Sequence, residues 1–451
     1  MTTTPPTMPV PASEGGFNPL LRVETAYRPP EATVEHAVLR DPEAEYRRSI
    51  EDNEGFWESV ARQLEWFEPW QKVLEWNPPD AKWFVGGKCN ISVNCLDRHV
   101  RGPRRNKLAL IWVGEDGTER LYSYGMLARM VGQIANALKS MGVKKGHRVC
   151  IYMPIMPESI AAMLACARIG AVHSVTYAGL GSGALRERIE DAQAEVVLTA
   201  DIAYRRGRTV ALKPIVDEAV DGLGIVRHVL VLTRQATHPG PAQWVAGRDL
   251  DWNKVVDGQS PDCAPEIMDA EDPLFILYTS GSTGKPKGCL YVHGGYMVGT
   301  DYLTRIGYDF HEDDIYWSTS DIGWIVGHSA IVYGPLSNGV TTFVREGAPD
   351  YPDPGVTWSM VERYGINTIF TAPTTLRMFM RMGQMYPAQY DLRSLKLLIC
   401  AGEPLNPEAL AWAHKHIMQG RGPVNDHWWQ TELPAPTIGT LPTMEQRPGR
   451  A

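Results

Sequence analysis

The sequence predicts an α/β fold, with mostly parallel sheets flanked by helices in layered subdomains. Two observations carry this reading. From about Leu121 the chain alternates helical and strand periodicities, and its strand-like runs are short and mostly apolar, the pattern of strands covered on both faces. At 451 residues the chain also exceeds the usual size of one core, so either one large multi-layered domain or roughly two or three packed subdomains follows.

The first helix is marked by Met126, Leu127, Met130, Val131, Ile134, Leu138 and Met141 at helical spacing, with Gly142 as its stop. A short apolar strand comes next at Val149 to Met153. Pro157 then opens a second helix through Ala161, Met163, Leu164 and Ala167 to Gly170. Further buried-type strands fall at Val196 to Leu198, His228 to Leu232, Leu274 to Tyr278, Thr342 to Val344, Asn367 to Phe370 and Leu397 to Cys400. The Trp-rich stretch Glu51 to Trp76 reads as part of a helical extension over residues 17–110, packed on a body spanning 111–451. Residues 1–16, rich in Thr and Pro, read as a disordered tail, and Gln235 to Pro241 as a surface loop. No internal repeat is present.

Composition narrows the function classes. Hydrophobic residues make up 44% and charged residues 21%, the balance of a soluble globular protein. A net charge of -8 gives no general footprint for nucleic acid or an anionic membrane, so any phosphate site must be local. Cys89, Cys95, Cys150, Cys166, Cys263, Cys289 and Cys400 are odd in number and lack a C-x-x-C pair, which reads as free thiols in a reducing compartment. The N-terminus has neither a basic start nor an apolar core of a signal peptide, and no run approaches a membrane span. The default compartment is the cytoplasm.

The most informative segment is Tyr278 to Gly288, directly after the apolar run Leu274 to Leu277. Thr279, Ser280, Ser282 and Thr283 supply hydroxyls. Gly281 and Gly284 let backbone N–H groups curl around an anion, and Lys285 and Lys287 supply charge. A loop cradling a polyphosphate is the natural reading, with a polar surface loop as the alternative. It is not a Walker A loop, because two residues rather than four separate the glycines and Pro286 follows the lysine.

This string resembles the phosphate-loop signature of the adenylate-forming superfamily, which holds acyl-CoA synthetases, luciferases and peptide-synthetase adenylation domains. More narrowly, Asn94 to His99, Met163 to His173, Gly323 to Ser329, Gly402-Glu403-Pro404 and Trp428 to Glu432 resemble the acetyl-CoA and propionyl-CoA synthetase branch, from about Phe56 to Glu432. The resemblance implies ATP, Mg²⁺ and coenzyme A as ligands and a short-chain carboxylic acid as substrate. The acid would be activated as an acyl-adenylate and passed to coenzyme A.

Each matching position then acquires a role. Glu432 would hold Mg²⁺ and Thr431 would bond the α-phosphate, the two catalytic positions; the attacking carboxylate is already ionised at neutral pH and needs no base. Gly402, Glu403 and Pro404 would line the adenine with Asp426 and Trp428, and Gln430 would stand beside them. Trp429 would cap an acyl pocket walled by Ile325, Val326 and Ala401. Ala401 stands where acetate-specific relatives usually carry valine, and Val326 where they carry threonine, which favours a C3 acid such as propionate or 3-hydroxypropionate. Arg205 and Arg208 would meet the coenzyme A phosphates, with Ala372 near the pantetheine. His328 receives no catalytic role.

The resembling enzymes continue into a C-terminal domain that completes the site in cis. That domain is expected to be missing here, leaving a portion poorly active alone. Leu433 to Pro436 departs from the Thr-Gly-Gly usual after the glutamate. Alternatives at this point are a nucleotide-binding module without turnover and a ligase domain of a multifunctional polypeptide forming propionyl-CoA. An amino-acid adenylation domain lacks a carboxylate placed for the amine.

Overall fold

A computed structural model describes residues 26–234, 244–279 and 284–450. The expected tail at 1–16, the loop Gln235 to Pro241, and Ser280 to Thr283 of the phosphate segment lie outside the described residues. Among those described, two large sheets organise the chain. The first runs Asp249–Asp251, His228–Leu232, Val196–Ala200, Arg148–Tyr152, Val172–Val175, Pro273–Thr279 and Lys287–Val292, parallel throughout except for its last pair. The second runs Ile438–Gly439, Val424–Trp428, Leu397–Ala401, Thr368–Thr371, Ile315–Ser318, Thr341–Arg345, Leu108–Val113 and Glu119–Ser123, with antiparallel pairs only at its two edges. This is the expected α/β architecture with mostly parallel sheets.

The helices cover these sheets as their sequences require. In Tyr124–Ser140, Ser123 accepts from Met126 N at 3.2 Å as the N-cap, and Leu127, Val131, Ile134 and Leu138 are buried. Met126 is the exception and faces out. Pro157–Arg168 begins on its proline and buries every residue from Ser159 to Ala167, because it is covered on all sides. Every residue of Val196–Ala200, Thr341–Arg345 and Leu397–Ala401 is buried, which explains their largely apolar character; Arg345 at the end of the second donates to Ala348 O and Tyr351 O.

The N-terminal extension departs from the all-helical expectation. Helices at Glu31–His36, Pro42–Glu51 and Asn53–Ala61 give way to an antiparallel hairpin of Lys72–Asn77 with Asp80–Val85. Pro78 and Pro79 at its turn cannot continue a helix, and Trp66, Trp70 and Phe84 cluster with ring centroids 4.9–5.5 Å apart beside it. The strand Leu108–Val113 spans residue 110 and pairs from Leu110 onward with Thr341–Arg345. All seven cysteines are free, and all but Cys289 are buried.

Candidate functional site

The carboxyl ends of the eight-stranded sheet converge on one cavity, the place where open parallel sheets gather ligand groups. Leu397–Ala401 delivers Gly402, whose φ of +103° suits glycine, and the neighbouring strand Val424–Trp428 delivers the segment Trp429 to Glu432. A cavity of about 430 Å³ is lined by Ile325, Val326, Ala401 and Trp429, with Ala372, Gly402, Gln430 and Thr431 around them. Trp429 is 7% exposed and leans on Phe370 at 6.3 Å between ring centroids, whereas Trp428 beside it is 48% exposed. Successive residues on a strand face opposite ways, so one indole closes the cavity and the other is left with an open face.

Two carboxylates on the segments beside the cavity are already engaged. Asp426 lies opposite Cys400 and is 7% exposed; its carboxylate accepts from Leu405 N at 3.3 Å, and burial pushes it up to about 6. Arg377 donates to both carboxylate oxygens of Glu403 at 2.8 Å, which holds that group below the usual carboxylate range. Pro404 follows in the same turn. Glu432 is exposed, and among the described residues none forms an ion pair with it. Thr279 and Lys287 pair across the hairpin that brackets the phosphate segment; Gly284 has φ of +88°, and Lys285 and Lys287 are exposed. No cluster of three metal-ligating side chains occurs among the described residues, so a divalent ion here would depend on one carboxylate and on ligand phosphates, the usual manner of Mg²⁺.

A second cavity of about 530 Å³ includes Arg205 and Arg206 with Tyr177, Gly179, Arg345 and Glu346. Arg205 and Arg208 face each other across a hairpin of Ile202–Arg205 with Arg208–Ala211, whose two turn residues, Arg206 and Gly207, both have positive φ. Glu115 accepts from Arg206 N at 3.0 Å and Gly207 N at 2.7 Å, fixing that turn. Arg208 does not line the second cavity, and Ala372 lines the first rather than the second. Thr319 and Ser320 line both, so the two spaces meet at the end of the strand Ile315–Ser318. Sequence reasoning missed Thr319, Ser320, Tyr177 and Arg345. The strand-end rule would have reached the first two, had Ile315–Ser318 been read as a strand.

His328 is fully buried; its Nδ1 lies 3.1 Å from Trp324 O, and burial lowers it to about 4, so it is neutral at physiological pH. It packs against His173 at 5.3 Å and Phe275 at 4.6 Å as a core residue. No helix among the described residues is long and apolar enough to cross a membrane.

A family model described as AMP-binding enzyme matches residues 96–451, and one described as acetyl-coenzyme A synthetase N-terminus matches residues 43–95. The chain is 49% identical over 396 residues to the acetyl-coenzyme A synthetase of Methanothrix thermoacetophila, covering 87% of this chain and 60% of that protein. It is 47% identical over 436 residues to that of Gemmatimonas aurantiaca, covering 96% and 66% respectively. It is 49% identical over 411 residues to that of Deinococcus radiodurans, covering 91% and 63%. The chain thus spans under two thirds of the length of these relatives.

Proposed function

The chain belongs to the AMP-binding enzyme family, and we propose that it is the nucleotide- and acid-binding portion of an AMP-forming short-chain acyl-CoA synthetase. The observation that carries this reading is the convergence of Gly402, Gln430 and Thr431 with Ile325, Val326, Ala401 and Trp429 on one cavity, which meets a second, arginine-edged cavity at Thr319 and Ser320. In this reading a carboxylate enters the first space and attacks the α-phosphorus of ATP, releasing pyrophosphate. The thiol of coenzyme A arrives through the second space, attacks the acyl carbon, and releases AMP.

The residues of the chain do the positioning. Trp428 offers its exposed face to the adenine, the turn at Gly402 to Pro404 flanks it, and Thr431 bonds the α-phosphate. Lys285, Lys287 and the backbone around Gly284 receive the outer phosphates. Glu432, exposed and without an ion-pair partner among the described residues, fits a Mg²⁺ ion shared with those phosphates; the ion would screen repulsion between two anions. Arg205 and Arg208 meet the nucleotide end of coenzyme A, with Ala372 on the acyl side of the junction. The remaining length of the relatives is where a further domain in cis would complete the site. Seven free cysteines agree with a cytoplasmic setting.

Trp429 limits the acid to two or three carbons. The apolar Val326 and the small Ala401 support a C3 acid ahead of acetate, although the relatives are named for acetate. Calorimetric titration with the ethyl and propyl phosphate esters of AMP tests this directly. One methylene is worth about 0.8 kcal/mol in a fitted pocket, so tighter binding of the propyl ester by several-fold is expected. Tighter ethyl ester binding returns the substrate to acetate, and binding of neither overturns the nucleotide reading.

A further inference from the structure

The segment that follows the strand Val424–Trp428, Thr431 to Pro434, is tied down at both ends by side chains outside the site. Tyr291 donates its hydroxyl to Thr431 O at 2.7 Å. Ser329 donates to Pro434 O, and Tyr296 lies 2.8 Å from the Ser329 hydroxyl. Leu433 N closes the turn onto Gln430 O at 3.0 Å. Neither tie is a loose surface contact. Tyr291 stacks on Phe275 at 4.7 Å and meets Tyr296 edge-on at 5.1 Å; Tyr296 is 2% exposed and Ser329 fully buried. Burial pushes both phenols up, so they remain protonated donors at any physiological pH.

Tyr291 also sits on the strand Lys287–Val292, in the hairpin whose far end carries Thr279 and Lys287 beside the phosphate segment. One rigid pair of strands therefore reaches both the lysine side of the site and the carbonyl of Thr431. Pro434 and Pro436 restrict the backbone from the other direction, since a proline ring locks φ. A turn with two prolines has few conformations, and these two hydrogen bonds select among them.

We propose that Tyr291, together with the Tyr296–Ser329 pair, is a positioning device that sets Thr431 and Glu432 relative to the hairpin end at Thr279 and Lys287. The proposal rests on the nucleotide reading above and assigns these three residues no contact with substrate. Thr431 keeps its place because its carbonyl is held, which fixes it at the wall of the first cavity with Glu432 next in the chain.

Hydrogen exchange on the 451-residue chain without ligand tests the anchoring by itself. In Tyr291→Phe, and separately in Ser329→Ala, the amides of Trp429 to Leu433 and of Ala435 should exchange about fivefold faster, the size expected from one lost hydrogen bond. Tyr124→Phe, which removes the hydroxyl that donates to Val340 O at 2.9 Å, is the control and should leave those amides unchanged. Calorimetry then tests the consequence. AMP reaches Thr431 while adenosine meets only the adenine turn, so the AMP-to-adenosine affinity ratio should fall about fivefold in Tyr291→Phe and stay constant in Tyr124→Phe. Unaltered exchange in both site variants, or an equal change in the control, overturns the proposal. Faster exchange with an unshifted ratio leaves the anchor standing but removes its role in binding. If the wild-type chain binds neither AMP nor adenosine, the nucleotide reading fails and the role in binding with it, while exchange still decides the anchor.

Discussion

Asp426 lies directly opposite Cys400 on neighbouring parallel strands, and its carboxylate accepts from Leu405 N at 3.3 Å beneath the turn that follows Ala401. Burial raises this carboxyl to about 6. The ordinary carboxyl of the unfolded chain titrates near 4, so between about pH 4 and 6 the folded state holds a proton that the unfolded state has lost. Stability from this residue is therefore present at low pH and falls as pH rises through that window, by about 3 kcal/mol. Buried neutral histidines such as His328 and His427, lowered to about 4, oppose it, since they are destabilising on the acid side. A wild-type profile mixes the two signs. The difference between wild type and Asp426→Asn isolates the first: urea denaturation should show the variant gaining on wild type from pH 4 to pH 7, and parallel profiles would remove the effect.

Trp429 fills the end of the first cavity against Phe370 and Ala401. Trp429→Ala should destabilise the chain by about 3–5 kcal/mol, the usual cost of truncating a buried aromatic. The opened space should then accept longer chains. AMP pentyl ester, which the indole would exclude if Trp429 caps the acyl pocket, is expected to bind the variant better than AMP ethyl ester does, reversing the wild-type order in calorimetry.

Ala401 ends a buried strand and faces the same cavity. Ala401→Val adds two methyl carbons to its wall. Overpacking in a rigid space is costly, so the preference between propyl and ethyl esters of AMP should shift several-fold toward the ethyl ester, about 1 kcal/mol, with little change for AMP itself. An unchanged ester preference would mean that the side chain at 401 does not bound the acyl group.

Much of this was legible because the informative signals are local. Val196 to Leu198, Val229 to Leu232 and Leu397 to Cys400 are apolar without interruption, and the structure buries all of them as strands, with the half-buried His228 opening the second. Pro157 and Gly142 mark helix ends by stereochemistry alone. Ile315–Ser318, Val172–Val175 and Val424–Trp428 escaped, because each carries polar residues such as Ser318, His173 and Asn425 whose burial depends on neighbours distant in sequence. The hairpin Lys72–Asn77 with Asp80–Val85 was read as helix because its tryptophans suit either state. At the site, the motif residues could be found one string at a time. The junction of the two cavities at Thr319 and Ser320, and the tie from Tyr291 to Thr431, join segments more than a hundred residues apart, and no local pattern announces them.

Glu115 holds the turn of the Arg205–Arg208 hairpin, and it is 8% exposed. Both Arg206 and Gly207 need positive φ there, and a Cβ on Gly207 would stand 2.1 Å from the Tyr351 hydroxyl. The turn is thus specified by one carboxylate below it and by the absence of a side chain at its tip. Glu115→Gln keeps the shape, but only one of the two backbone N–H groups retains an acceptor and the other faces the NH2 of the amide. Because leaving a donor unsatisfied costs about 1–3 kcal/mol and the remaining bond loses its charged acceptor, the variant should lose about 2–4 kcal/mol in urea denaturation. Gly207→Ala should also lose stability, through the strained φ and the clash together. If Arg205 and Arg208 meet the phosphates of coenzyme A, both variants should also weaken calorimetric binding of coenzyme A while leaving AMP affinity alone, since the hairpin edges only the second cavity. Equal losses for the two ligands would instead mean that the hairpin serves the stability of the whole site.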